Sequence, residues 1–170
     1  MKSTFVALET LISRRRALAA MVIAPAAPLL AIDGRDEAPK FHAKTMDGEL
    51  LTNASLKGKP ALLQFWATWC PYCKKDMSAV ETIVEDFKDR LVVIGIDVGE
   101  SKQKVKRFLA ASPRSCKIVL TEDTNLAAMY SPRAFPLYIL IDEGGKIAAT
   151  QRGAGGEGAL RNMLRRVGLS

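Results

Sequence analysis

The sequence predicts an α/β protein in which strands alternate with helices around a largely parallel sheet. Two apolar runs of strand length, Ala61 to Trp66 and Leu91 to Ile96, are separated by a segment whose apolar residues recur at helical spacing. The second run is continuously apolar and rich in β-branched residues, which is typical of a parallel strand buried on both faces. With 170 residues, 48% of them hydrophobic, the chain is long enough for one globular domain and a short appendage.

Short-range signals define the elements around the first of these strands. Asp47-Gly48 indicates the turn of a small leading β-hairpin, and the polar stretch Leu56 to Pro60 precedes the strand that begins at Ala61. The segment after Cys70 is predicted to be a helix that runs to about Asp89, because its apolar residues share one face. That face is formed by Met77, Val80, Val84 and Phe87.

The C-terminal half continues the alternation of helix and strand. Ser101 can cap a helix that runs to about Ala111, because a serine side chain pairs with the free amides of a first helical turn. The chain then predicts, in order, a strand at Cys116 to Leu120, a short helix at Asn125 to Tyr130, a hairpin of Leu137 to Asp142 with Lys146 to Arg152, and an amphipathic helix at Glu157 to Val167.

Residues 1–32 are predicted to be an export signal or an N-terminal anchor, and residues 33–170 the folded domain. Three arginines, Arg14 to Arg16, precede an apolar run from Ala17 to Ile32, and this order is typical of an export signal, with a resemblance to the twin-arginine type. Ala24-Pro25-Ala26 is a candidate cleavage site. The run falls short of the ~20 residues that a spanning helix needs, so we expect cleavage rather than anchoring by residues 17–32. Export would place the domain in the periplasm, where disulfides persist.

The charge of the chain does not indicate a nucleic-acid partner. The formal net charge is +7, of which +3 belongs to the residues before Asp33. The remaining +4 is spread without a basic run, and no patch combines aromatic with basic residues. We therefore expect no binding to nucleic acid.

The sequence Cys70-Pro71-Tyr72-Cys73 stands where the strand at Ala61 to Trp66 gives way to the helix. Two cysteines at this spacing can close into a disulfide and reopen. Pro71 suits the first helical position, which puts Cys70 at the cap. Free amides and the positive end of the helix dipole favour a thiolate there. We therefore predict Cys70 as the nucleophile and Cys73 as the resolving thiol.

Metal binding is the competing use of such a cysteine pair. A structural zinc site needs about four protein ligands. The chain offers only Cys116 and His42 in addition to the pair. Because Cys116 falls in a strand pattern it is predicted to be a buried free thiol, and His42 is predicted to lie on the surface. We expect no metal site, and redox chemistry at the pair.

These motifs resemble the thioredoxin fold, specifically its exported TlpA/ResA-like branch. The likeness covers about Ala38 to the C-terminus and rests on the strand, the Trp69-to-Cys73 motif, the insertion at Ser101 to Tyr130 and the later Phe135-Pro136. It implies a thioredoxin fold with an N-terminal β-hairpin and a central βα insertion. It also implies that Pro136 is cis, packs against the dithiol and presents backbone to a substrate strand.

Two positions of the family pattern bear on proton transfer. Many thioredoxins bury an acid six residues before the first cysteine, and this chain has Gln64 there. ResA-like members carry an acid three residues after the second cysteine, and Asp76 stands at that position, one methylene shorter than the family's glutamate. The resemblance therefore implies that Asp76 takes the proton of Cys73. The alternative is an exposed acid that merely favours the helix dipole.

The residues around the dithiol are predicted to contact the substrate. Trp69 is expected to form apolar surface beside the cysteines, together with Pro71, Tyr72 and Phe135. Trp66 is expected to lie in the core. Tyr72, between the two cysteines, is expected to be exposed and to tune the potential of the pair.

The resemblance implies a periplasmic thiol:disulfide oxidoreductase that reduces protein disulfides, for example in cytochrome c or copper-site assembly. Its partners would be protein thiol or disulfide substrates and a membrane or periplasmic redox partner. No organic cofactor is implied beyond the redox-active disulfide Cys70–Cys73, and we expect a monomer. A protein-disulfide oxidant of the same fold is the main alternative, because the sequence does not fix the redox direction.

Three further alternatives are testable. A peroxiredoxin would carry Thr-x-x-Cys, whereas only one residue separates Thr68 from Cys70, and turnover of hydrogen peroxide would reveal that activity. A copper-binding module would need a later histidine, and none follows His42. A binding module with an inert dithiol would fail to reduce insulin or to oxidise a model peptide.

Overall fold

The computed structural model describes residues 36–170, so the predicted export signal at residues 1–32 lies outside the described residues. The strands are β1 (His42–Thr45), β2 (Leu50–Thr52), β3 (Ala61–Trp66), β4 (Val92–Asp97), β5 (Lys117–Thr124), β6 (Leu137–Ile141) and β7 (Ile147–Arg152). The helices are α1 (Asn53–Leu56), α2 (Pro71–Phe87), α3 (Lys102–Ala111), α4 (Leu126–Tyr130) and α5 (Gly156–Leu164), and a 3₁₀ turn follows at Arg165–Val167.

The seven strands form one mixed sheet in the order β2-β1-β5-β4-β3-β6-β7. The three central strands β5, β4 and β3 are parallel, and β6 pairs with β3 in the antiparallel sense. The predicted hairpins are both present, as β1–β2 and β6–β7. Strand β3, which leads into the dithiol, therefore has hydrogen-bonded neighbours on both sides.

Apolar side chains cover both faces of the sheet. On one face Trp66, Ile83 and Leu160 belong to a core built from the sheet, α2, α3 and α5, and both cysteines of the motif lie in it. On the other face Phe65 and Leu126 belong to a core closed by α1, α4 and the leading hairpin. Every residue of β3 is buried, as a strand covered on both faces requires.

The structure differs from the sequence-based element bounds where tertiary contacts intervene. Strand β5 runs to Thr124, four residues beyond the predicted end, because it also pairs with β1 through Ala43 and Thr124. Helix α1 was not predicted; Thr52 caps it through a reciprocal bond with Ser55. Within residues 36–170 no helix is both long enough and apolar enough to cross a membrane.

Candidate active site

The dithiol sits at the first turn of α2. Cys70 is the N-cap, Pro71 occupies the first helical position, and the Sγ of Cys70 accepts a hydrogen bond from the Cys73 amide at 3.0 Å. The two cysteines form a disulfide with their Cα atoms 5.3 Å apart. Cys70 is 2% exposed and Cys73 1%, so exposure does not distinguish the two sulfurs in this oxidised form. The cap position of Cys70 distinguishes it from Cys73, because a thiolate at the cap faces the free amides of the first helical turn.

Exposed aromatic residues lie next to the buried cysteines in the chain. Trp69 is 59% exposed and Tyr72 63%. The rings of Trp69 and Phe135 meet edge to face with centroids 5.9 Å apart. The Phe135–Pro136 peptide bond is cis, and Phe135 also packs against the core that contains both cysteines. Two of the predicted substrate-contacting residues, Trp69 and Phe135, thus meet beside the dithiol.

A buried carboxylate holds the loop that precedes the dithiol. Glu100, from the loop after β4, accepts hydrogen bonds from the Thr68 amide and, at 2.8 Å, from the Thr68 hydroxyl. Its side chain is 3% exposed and forms an ion pair with Lys104 of α3. Asp97, at the end of β4, is fully buried close to Glu100. The backbone two residues before Cys70 is therefore tied to the loop that follows β4.

Asp76 is buried rather than exposed, which excludes a purely solvent-facing role. It lies one turn after Cys73 and is 1% exposed. Its Oδ2 accepts from the Tyr138 hydroxyl at 3.0 Å and from the Gly155 amide at 3.1 Å, and its Oδ1 accepts from the Gly156 amide at 3.0 Å. The carboxylate of α2 thereby also pairs with amides at the start of α5.

Gln64 lies between Tyr138, the partner of Asp76, and the buried Arg114. Its Nε2 donates to the Tyr138 hydroxyl at 3.1 Å, and its Oε1 accepts from Arg114 at 2.8 Å. The Arg114 side chain is fully buried, lies over the Trp66 ring and pairs with Glu81 of α2. The position where many thioredoxins carry an acid is thus part of a polar network.

Sequence reasoning missed Glu100, Asp97, Tyr138 and Arg114. A signal existed for Tyr138, because a polar group within an apolar strand needs a partner, and β6 places it directly opposite Gln64. No comparable local signal marks Glu100, whose partner Thr68 is 32 residues away.

The remaining sequence candidates lie outside this arrangement. Cys116 is a buried free thiol, and burial raises its pKa. His42 is exposed on β1. Within the part of the chain that the structure describes, no three His, Cys, Asp or Glu side chains are grouped so that they could hold a metal ion.

Comparisons with known sequences find a thiol-disulfide oxidoreductase among the relatives of this chain. The profile of the AhpC/TSA family matches residues 35–150. Thioredoxin-like protein YneN of Bacillus subtilis is 33% identical over 113 residues, which cover 65% of this chain and 66% of YneN. Thiol-disulfide oxidoreductase ResA of the same organism is 30% identical over 129 residues, which cover 75% of this chain and 72% of ResA. The chain thus spans about two thirds of YneN and somewhat more of ResA.

Solved structures confirm the predicted thioredoxin fold. A thiol:disulfide interchange protein of the thioredoxin family from Chlorobium tepidum matches with a TM-score of 0.70 and 23% identity over 78% of this chain and 96% of that one. A secreted disulfide oxidoreductase of Mycobacterium tuberculosis matches with a TM-score of 0.63 and 22% identity over 73% and 93% of the two chains. With its cysteine pair at the start of α2 and ResA among its relatives, the chain belongs to the AhpC/TSA family and is a ResA-like thiol–disulfide oxidoreductase.

Proposed function

We propose that this protein is an exported reductant of protein disulfides, with Cys70 as its nucleophile. The observation that carries the proposal is the pair at the start of α2, where Cys70 is the N-cap and Cys73 supplies the amide that contacts its sulfur. The exposed rings of Trp69 and Tyr72 supply an apolar surface on which an unfolded segment can dock.

The reaction is a two-step thiol–disulfide exchange. In the reduced protein the Cys70 thiolate attacks one sulfur of a substrate disulfide, so that a mixed disulfide forms and the other substrate sulfur leaves as a thiolate. Cys73 then loses its proton and attacks Cys70. The Cys70–substrate bond breaks, the second substrate thiolate leaves, and the Cys70–Cys73 disulfide remains. Two electrons have passed to the substrate, and a membrane or periplasmic reductant returns them to the pair.

The setting of this reaction is part of the proposal. The Arg14 to Ile32 pattern supports export to the periplasm, and the matched Mycobacterium tuberculosis protein is described as secreted. The similarity to ResA-like proteins favours apocytochrome c or a copper-site protein as substrate. We expect the protein to act as a monomer.

Single cysteine variants test the order of the two steps. Reduced Cys73→Ser should accumulate a stable mixed disulfide with insulin, because no thiol remains to resolve it, whereas Cys70→Ser should trap none. Mass spectrometry after an acid quench measures both species, and both variants should lose catalysis of insulin reduction by dithiothreitol. Trapping by Cys70→Ser alone would reverse the assignment, and trapping by neither variant would contradict the proposed exchange.

We further propose that Asp76 accepts the Cys73 proton in the second step. Its place one turn after Cys73 and its burial support this role, because a shielded carboxylate can act as a general base. In Asp76→Asn the decay of a mixed disulfide between Cys70 and glutathione should slow by about 100-fold. Its formation from oxidised glutathione should be unchanged. An unchanged decay rate in a folded Asp76→Asn protein would show that the carboxylate only pairs with the start of α5.

Two other activities can be separated from this one. A disulfide donor of the same fold would oxidise a reduced model peptide and would show a high reduction potential. The match to the AhpC/TSA family makes peroxidase activity worth measuring, and turnover of hydrogen peroxide at a rate comparable to insulin reduction would favour it over the proposed function.

A further inference from the structure

A continuous chain of buried hydrogen bonds joins Arg114 to Asp76. Arg114 donates to Gln64 of β3 at 2.8 Å, Gln64 donates to Tyr138 of β6 at 3.1 Å, and Tyr138 donates to Asp76 of α2 at 3.0 Å. Three elements and the loop before β5 thus contribute one group each. The dithiol chemistry described above uses only the last member.

We infer that Tyr138 and Gln64 are positioning residues, which hold the Asp76 carboxylate with a single acceptor site, on Oδ1, left for the proton of Cys73. This inference rests on the proposed role of Asp76 as proton acceptor. It adds the residues that select the accepting oxygen and set the pH range of the second step.

The direction of the hydrogen bonds follows from the chemistry of the two ends. A guanidinium can only donate, and an ionised carboxylate can only accept. The amide oxygen of Gln64 therefore faces Arg114, its NH₂ group faces Tyr138, and the Tyr138 hydroxyl is left to donate to Asp76. Burial and the negative charge of Asp76 raise the pKa of Tyr138 above its usual range, so the hydroxyl keeps its proton.

All four side chains of this hydrogen-bonded chain are buried, so none of them can replace a lost partner with water. Gln64 and Tyr138 are 0% exposed, and Asp76 is 1% exposed. The Arg114 side chain is also fully buried. A polar group that lost its partner here could not turn to water, so each bond of the chain constrains the next.

Counting acceptor sites identifies the oxygen that remains available. A carboxylate offers about four lone-pair sites, two on each oxygen. Among the hydrogen bonds made by residues 36–170, Oδ2 uses both of its sites, for Tyr138 and the Gly155 amide, whereas Oδ1 uses one, for the Gly156 amide. Without the Tyr138 hydroxyl, either oxygen could take a proton.

The groups around Asp76 come from three elements. Tyr138 faces it from β6, and two backbone amides face it from the start of α5. On α2 itself, Cys73 lies one turn earlier. Arg114 is connected to Asp76 by three hydrogen bonds, through Gln64 and Tyr138. Asp76 also lines a small surface cavity, together with Lys75. The cavity, which Ala154 also lines, gives a bound proton a short route to solvent.

The proton and electrons balance in the second step. The Cys73 S–H bond breaks and its proton passes to Oδ1 of Asp76, while the sulfur electron pair forms the bond to Cys70. The bond between Cys70 and the bound glutathione breaks, and glutathione leaves with that electron pair as a thiolate. It takes up a proton, and Asp76 returns its own to water.

The test is the pH dependence of mixed-disulfide decay in Tyr138→Phe. The probe is oxidised glutathione, and acid-quench mass spectrometry from pH 4 to pH 9 separates formation at Cys70 from decay by Cys73. Because the charged carboxylate loses one hydrogen-bond donor in this variant, the pH of half-maximal decay rate should rise by about one unit. The alkaline plateau should stay within about threefold, and the formation rate should not change.

Two variants control this measurement. Tyr130→Phe removes the other buried tyrosine hydroxyl, which has no hydrogen-bond partner within residues 36–170, and should leave the decay profile unshifted. Gln64→Leu breaks the same chain one bond further away and should shift the profile in the same direction by a smaller amount. It also provides the test if Tyr138→Phe does not fold.

The outcomes separate the two proposals. Slow decay in Asp76→Asn with an unshifted profile in both Tyr138→Phe and Gln64→Leu would overturn the positioning role alone. Normal decay in Asp76→Asn would overturn the role of Asp76 and with it this inference. Lower thermal stability without a shift in the profile would mark the network as structural, which also contradicts the inference.

Discussion

Asp97 and Glu100 are neighbouring buried carboxyl groups whose pKa values the fold shifts in opposite directions. Burial, together with the negative charge of Glu100, raises the pKa of Asp97 to about 8. Burial also acts on Glu100, but hydrogen bonds from Lys104 and Thr68 outweigh it and lower the pKa of that carboxyl. At neutral pH the negative charge therefore resides on Glu100, the group that holds the loop before Cys70.

The raised pKa of Asp97 predicts a stability that falls as the pH rises. The folded protein keeps the Asp97 proton up to about pH 8, whereas the unfolded chain releases it near the ordinary value of 3.8. Between these values the unfolded state binds fewer protons, so each rise in pH favours unfolding. We expect the free energy of unfolding of the oxidised protein to fall by about 1 to 3 kcal/mol more than that of Asp97→Asn from about pH 5 to about pH 8.

Guanidinium unfolding followed by tryptophan fluorescence measures this difference. The isosteric amide of Asp97→Asn cannot titrate, so its stability curve should be flatter over that range. Glu122→Gln, a substitution at an exposed position of β5, should keep the slope of the wild type. Equal slopes for the wild type and Asp97→Asn would contradict the raised pKa.

Local signals at β3 and α2 predicted the centre of the site. Pro71 and the capping cysteine define a helix start within four residues, so the sequence alone places the dithiol at that end of α2. The bonds that organise the rest join distant residues: Thr68 to Glu100 across 32 positions and Asp76 to Tyr138 across 62. Such partners depend on strand order, which no local pattern encodes.

The start of α5 is capped by a side chain from α2 instead of by its own N-cap residue. Its N-cap is Gly155, which has no side chain to bond the first amides, and the sequence predicted the helix only from Glu157. Asp76 of α2 accepts from those amides instead. A Cβ at Gly155 would lie 2.6 Å from Ala159 and from Gln151, and Gly156 has a φ of +68°. Gly155 is therefore favoured by its close packing and Gly156 by its left-handed backbone.

The molecule as a whole assembles its site from three separate parts of the chain. The β3–α2 junction brings the dithiol, and the loop after β4 brings Glu100. The third part is the cis Phe135–Pro136 segment and the strand β6 that follows it, which bring the aromatic partner of Trp69 and Tyr138. The sequence predicted the fold and the cysteine pair, because both follow local patterns and a family resemblance. It left the redox direction open, because direction depends on the relative free energies of the dithiol and disulfide forms.

The reduction potential of the Cys70–Cys73 pair tests the proposed direction most directly. The full-length protein would be equilibrated in dithiothreitol or glutathione buffers of known potential, quenched and alkylated, and the alkylated thiols counted by mass. Cys116, which has no disulfide partner within residues 36–170, provides an internal count of one in every sample after unfolding. We expect a value near the ~−270 mV of thioredoxin, as a reductant requires. A value near ~−120 mV would make the protein a disulfide donor and contradict its proposed role as a reductant.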